Sequence, residues 1–215
     1  MELLLMTLAP ANPAREADAM ARIRLISDNV RNAPGLLNAR FYRNRETNLS
    51  YLILTTWENL EWWQKAQERH DPCALLARSP AGIFPAPPDQ WLMRYIWGYS
   101  RPLAQPAVTA AHLALVRPEQ AERVQQTWLH SLQQQTIEPI LSFALLARSL
   151  ENEPGTTARP AIIPAQSMQR PLFLNLLSWP GEIYQEDFYA HEGYRTIQGL
   201  LNNAGFVRVL KLDPL

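Results

Sequence analysis

The side chains with the widest chemical range in this chain are four histidines, one cysteine and seven tryptophans, and their spacing narrows what each can do. His70, His112, His130 and His191 show no i, i+4 pairing and no gathering of Asp, Glu or Cys, so no metal centre is expected. Cys73 sits in Asp71-Pro72-Cys73-Ala74 without a basic neighbour and reads as an inert thiol; a lone cysteine also excludes an internal disulfide framework. There is no Gly-x-Gly-x-x-Gly turn, no Walker loop and no Gly-x-Ser-x-Gly elbow. Phosphate-cradling and serine-nucleophile chemistry are therefore not expected, and no cofactor is expected either. Arg94 and Arg208 each interrupt an apolar strand-like run; such a guanidinium binds a carboxylate or phenolate ligand, or lies on a strand edge in water. Trp57, Trp62, Trp63, Trp91 and Trp97 crowd the first half, where aromatic walls suit a flat ligand and serve equally well as packing.

The elements that must position these groups follow from hydrophobic period. Residues 2–9 form a short apolar run of strand length, and from Ala14 a helical stripe carries Ala19, Met20, Ile23, Ile26 and Val30 at steps of three and four. Ala33-Pro34-Gly35 stops it. Two-faced strands are predicted over 36–45 and 50–57, a helix over 58–70, a Pro-rich loop to Asp89 and a strand over 91–97. The second half repeats the order, with strands over 110–117, 140–148, 172–179 and 206–212 and helices from Pro118 and over 183–202. Corresponding places pair Trp57 with Trp179, His70 with His191 and Arg94 with Arg208. The matching histidines read either as base or axial-ligand groups or as residues that cap or line a helix surface. His112 alternates onto one strand face with Ala114 and Val116, which places it either inside a chamber or in the core as a satisfied histidine. The predicted repeats are 1–104 and 105–215, with a loop insertion at 151–171.

Each predicted β-α-β-β-α-β repeat is a ferredoxin-like split motif with helices on one sheet face only. Leaving the other face wet exposes several hundred Å2 of apolar surface, more than monomers usually carry. The expected fold class is α+β: two ferredoxin-like repeats packed sheet-to-sheet as an intrachain pseudo-dimeric α/β barrel with an interior chamber. The composition supports a packed core, with 47% apolar and 19% charged residues. Equal numbers of basic and acidic side chains, 20 each, argue against a nucleic-acid partner, which requires a basic field. Apolar runs are far shorter than the roughly 20 residues of a membrane span, and Met1–Met6 lacks the basic leader of a signal peptide. A cytoplasmic location without a membrane partner is expected.

With these elements in place, Pro34-Gly35-Leu36-Leu37, Phe41-Tyr42-Arg43, Ile53–Asn59 and the Arg69-His70 helix end resemble the antibiotic-biosynthesis monooxygenase family of dimeric α/β barrels. The resemblance covers most of residues 1–100 and continues more faintly through Leu174–Trp179 and Ala190-His191-Glu192-Gly193. It implies a tandem copy of a unit that relatives use as separate subunits, and leaves open the pairing of two chains as a homodimer. The family holds cofactor-free oxygenases of aromatic polyketides, haem-degrading enzymes and members without assigned activity, so fold does not choose among them.

The resemblance also proposes a site. Asn175 and Trp179 stand at the spacing of the quinone-forming branch, and Tyr184 follows one residue short of its expected place. On alternating geometry Phe173, Asn175, Leu177 and Trp179 share a face, which is expected to open into the chamber. There an amide and an indole N–H stabilise the oxyanion of a small aromatic ligand, or Asn175 satisfies buried backbone and Trp179 is core. The first half has Ile53 at the matching position, so the halves look unequal. The expected site comprises Asn175, Trp179 and Tyr184 as catalytic groups, with Trp57, Arg94, His191 and Arg208 binding a flat phenolic or quinonoid substrate. The competing readings are a non-catalytic small-molecule-binding or stress-related barrel and, as a minor one, a haem-binding barrel with His191 as axial ligand.

Overall fold

The computed structural model describes residues 2–45, 48–102, 106–137, 140–150 and 170–215. Of the expected insertion, residues 151–169 lie outside the described residues. The elements are β1 (Leu3–Pro10), α1 (Glu16–Arg31), β2 (Leu36–Asn44), β3 (Ser50–Trp57), α2 (Leu60–Ala66), α3 (Pro72–Ala77) and β4 (Asp89–Ser100). They continue as β5 (Val108–Val116), α4 (Ala121–Gln135), β6 (Phe143–Ser149), β7 (Leu172–Trp179), α5 (Glu182–Ala190), α6 (Glu192–Ala204) and β8 (Gly205–Pro214). In the first unit the strands pair in the order β4-β1-β3-β2 and in the second in the order β6-β7-β5-β8, all antiparallel, the α+β class expected from the pattern. The chain forms two compact units.

The first unit is built on residues 2–94 with 213–215. The α1 stripe of Ala19, Ile23, Ile26 and Val30 packs on Ala9, Phe41, Tyr51 and Ile53 of the sheet, which is why its apolar residues recur every three to four positions. Gly35 ends the excursion with φ 77°, a left-handed conformation that a Cβ resists. A Cβ there would also stand 2.4 Å from Cγ of Trp62. Asn59 caps α2 by accepting from the Trp62 amide at 3.0 Å. Two predictions need revision here. The helix expected over 58–70 stops at Ala66, and the expected Pro-rich loop opens with α3. The reason lies in Asp71-Pro72: the carboxylate accepts from the Ala74 amide at 3.1 Å, and proline fits the first helical position, where no N–H is needed.

The second unit holds residues 95–150 and 170–212. Val124, Trp128 and Leu132 of α4, Phe188 of α5 and Ile197 and Leu201 of α6 form one core with Phe173, Leu177 and Trp179 of β7. The single helix expected over 183–202 is two, broken at His191, whose backbone is extended at ψ 140°. His191 caps α6 through Nδ1, which accepts from the Gly193 amide at 3.1 Å. At the end of α6 the chain turns straight into β8 at Gly205, where a Cβ would lie 1.9 Å from the Leu115 carbonyl oxygen. Only hydrogen fits between these two strands at that point.

Candidate functional site

The pleat fixes which side chains of the second unit meet. In β7 the residues of one parity, Phe173, Leu177 and Trp179, pack on α4, α5 and α6, so Asn175 shares their helix-covered face. The β5–β7 register sets His112 opposite Asn175 and Val108 opposite Trp179. Directly opposed Cβ atoms lie about 5 Å apart, which makes the imidazole and the amide neighbours on the sheet. This corrects the expectation that Asn175 and Trp179 open into a chamber between sheets. The apolar residues beside them are the ones that α4, α5 and α6 cover, so the amide and the indole are carried into the sheet–helix layer.

That layer is apolar except for a small polar set. Asn175 and Trp179 are wholly inaccessible and His112 is 1% exposed. Neither amide atom of Asn175 has a hydrogen-bond partner, nor does Trp179 Nε1 or His112 Nδ1. A buried polar atom without a partner costs about 1–3 kcal/mol, so this concentration within one layer calls for a reason. His112 Nε2 lies 3.3 Å from the Tyr189 hydroxyl, and its ring meets Tyr189 edge-on at 5.8 Å and Tyr194 at 5.7 Å. Trp179 stands edge-on to Phe188 at 5.3 Å and tilted to Tyr189 at 5.8 Å. The three aromatic residues of α5 and α6 thus wall the polar set with edges and faces suited to a flat ring.

Burial also sets the charge state. Desolvation pushes the His112 imidazole down to about 4, with the Asn175 backbone opposing the shift, so it is neutral at physiological pH. Desolvation pushes the hydroxyls of Tyr189 and Tyr194 up, and both remain protonated. The layer therefore offers a neutral imidazole, an amide with donor and acceptor, an indole donor and phenol groups, and no formal charge among them. Such a set can hold a phenol or quinone oxygen by hydrogen bonds without first burying an ion.

The other expected site residues stand elsewhere. Tyr184 is 44% exposed on α5. Arg94 is exposed in the first unit. Arg208 lies opposite Leu113 on the β5–β8 ladder, on the sheet face away from His112. His191 is exposed and occupied in its cap, and His70 Nδ1 lies 3.0 Å from the Asn29 carbonyl oxygen. Trp57, the counterpart of Trp179, is buried in the first unit with its N–H donated to Thr55 Oγ1 at 3.0 Å. There Ile53 faces Thr7 across β1 and β3, where the second unit has Asn175 and His112, and Thr7 accepts from Gln90 at 3.1 Å. Trp57, Thr7 and Gln90 therefore have partners at these places, while the Tyr51 hydroxyl and Trp63 Nε1 of the same unit are buried without one.

Sequence reasoning missed Tyr189 and Tyr194 and left His112 outside the site. Five residues apart in an unbroken helix, two tyrosines point more than a quarter-turn apart. The break at His191 instead brings their rings to 4.8 Å. Its trace in the sequence is the His191-Glu192-Gly193 start of a new helix. The partnership of His112 with Asn175 requires the strand register, which composition does not carry. Among the described residues no group of three or more His, Cys, Asp or Glu gathers as metal ligands. Likewise, no helix among them is long and apolar enough to cross a membrane.

Residues 4–71 match the family model described as antibiotic biosynthesis monooxygenase. No curated protein matches the chain. Solved structures share its fold over nearly the whole length. A candidate monooxygenase of Fusobacterium nucleatum superposes with a TM-score of 0.73 at 8% identity, covering 100% of this chain and 92% of that one. An anthrone oxidase-like protein gives 0.69 at 10% identity, covering 99% and 91%. A candidate monooxygenase of Lactobacillus acidophilus gives 0.66 at 8%, covering 99% and 93%. The first unit is thus similar to the antibiotic biosynthesis monooxygenase family over residues 4–71, and the chain as a whole shares the fold of these solved structures.

Proposed function

We propose that the second unit binds a small flat phenolic or quinonoid molecule between its sheet and helices and oxidises it with molecular oxygen, as a cofactor-independent monooxygenase. The observation that carries this reading is the set of four unpartnered polar atoms on Asn175, Trp179 and His112, buried together in an apolar aromatic layer. A ligand oxygen placed among them replaces the missing partners. The name of the anthrone oxidase-like relative is in line with that substrate class.

In this reading Asn175 Nδ2 and Trp179 Nε1 donate to the developing phenolate oxygen, aimed in advance where charge appears. His112 Nδ1 accepts the phenolic proton in a hydrogen bond, while Nε2–H donates to the Tyr189 hydroxyl and fixes the tautomer. The substrate supplies all four electrons: an aromatic CH para to the hydroxyl, or a ring methylene, becomes C=O with one oxygen atom, and the other leaves as water. Exclusion of water protects the electron-rich anion and strengthens each hydrogen bond.

The test is oxygen uptake with a panel of dihydroxyaromatics and anthrones. The expected result is that Asn175→Ala and Trp179→Phe each lower kcat/KM by about 10²-fold or more, the scale of one lost oxyanion donor. Uptake unchanged in both variants rejects the oxygenase. A binding-only role is favoured by the low basicity of His112; its mark is saturable ligand binding, lost in Asn175→Ala, with no oxygen consumed by the wild type.

A further inference from the structure

A second site lies on the outer side of the same helices. On α6, Thr196, Gly199, Leu200 and Asn203 fall at steps of three and four, and so do Gln120, Arg123 and Thr127 along α4 and the turn before it. Residues so spaced form one stripe on each helix. The two stripes line a half-open surface groove of about 480 Å3, within the volume range of small-molecule sites. Its depth has a local cause. Gly199 is in mid-helix, where glycine costs about 1 kcal/mol against alanine, and a Cβ there would meet nothing within 4 Å. The missing side chain is therefore not forced by packing; it leaves the groove open.

The rim is held by Arg117, whose amide donates to the Ala204 carbonyl at 2.9 Å and whose Nη2 donates to the Asn203 carbonyl at 2.5 Å. Arg117 also faces Glu119 at 3.7 Å, so its charge is partly answered. Arg123 lines the same groove, and among the described residues no acidic side chain does. Thr127, Thr196 and Gln120 add hydroxyl and amide groups, over a floor that includes Leu200 and Ala204. The geometry points to a binding site for a small organic carboxylate with an apolar body. Its head group lies on Arg123 at the N-terminal, electropositive end of α4, and its body fills the space over Gly199. This site shares no residue with the Asn175 set and stands independently of it.

The experiment uses the full-length 15N-labelled protein, titrated with benzoate, benzyl alcohol and inorganic phosphate and followed by amide shifts. Benzoate is expected to shift Thr127, Gly199 and Leu200 saturably, with benzyl alcohol and phosphate at least about tenfold weaker, since each lacks half of the recognised chemistry. Arg123→Ala is expected to weaken benzoate about tenfold, and Gly199→Leu, checked for an unchanged fold by its spectrum, to abolish binding. Gly199→Ala keeps helix geometry and serves as the second, milder block, again with weakened benzoate binding. Asn175→Ala is expected to leave the benzoate shifts at Gly199 unchanged, separating the two sites. Absent or non-saturating shifts, phosphate equal to benzoate, or indifference to both Arg123→Ala and Gly199→Ala overturns the proposal.

Discussion

An amide buried with neither its oxygen nor its nitrogen bonded destabilises the fold that contains it. Replacing Asn175 by leucine, of similar volume and without polar atoms, is expected to raise unfolding stability by about 1–3 kcal/mol while removing ligand binding. Urea midpoints and ligand titration on the same variant check both halves, and a stability loss speaks for an amide used in the fold. His112 makes a pH prediction. The unfolded imidazole takes a proton near 6.5 and the folded one only near about 4, so between those values the unfolded chain binds more protons. Tyr189 and Tyr194, the titratable groups against it, stay neutral across that range. The contribution is complete above pH 6.5 and is lost as pH falls toward 4, amounting to roughly 3 kcal/mol. Urea unfolding at stepped pH should show this slope, and His112→Gln should flatten it.

At the scale of elements, chain breaks matter as much as the elements. His191→Ala removes the cap of α6 and is expected to cost about 1 kcal/mol in thermal or urea unfolding. Ligand affinity should fall no further than that loss explains, because the imidazole caps rather than binds. Gly35→Ala meets both a positive φ and the Trp62 side chain and is expected to cost about 1–3 kcal/mol, read from the denaturation midpoint. The strands β3 and β7 were legible to the residue, because unbroken β-branched, leucine and aromatic runs bounded by polar turns leave little choice. The helices were less so. Asp71-Pro72 restarts a helix within a Pro-rich stretch, and His191 divides what apolar period alone reads as continuous. In both places a side-chain cap decides the boundary, and a hydrophobic pattern does not register caps.

At the scale of the molecule, the order β-α-β-β-α-β in each half and the α+β class were readable from pattern. The burial of the Asn175 face was not. Both faces of β7 are apolar, so alternation could not tell which one the helices cover; tertiary packing alone decides that. The two units differ where it counts. Each Trp→Phe change leaves a cavity costing about 1–3 kcal/mol. Trp57→Phe also removes a satisfied hydrogen bond and is expected to cost about 1 kcal/mol more with ligand binding intact, whereas Trp179→Phe removes an unbonded donor, carries no such added cost and is expected to abolish binding. Parallel unfolding and binding curves for the two variants make the comparison.

Ile53 and Thr7 occupy the seats that Asn175 and His112 fill in the other unit, so one polypeptide carries the proposed site together with its own blank. Any compound that perturbs both tryptophan environments alike is acting as a solvent for aromatic surfaces. A true ligand must tell the twins apart, and each sample then supplies its own reference.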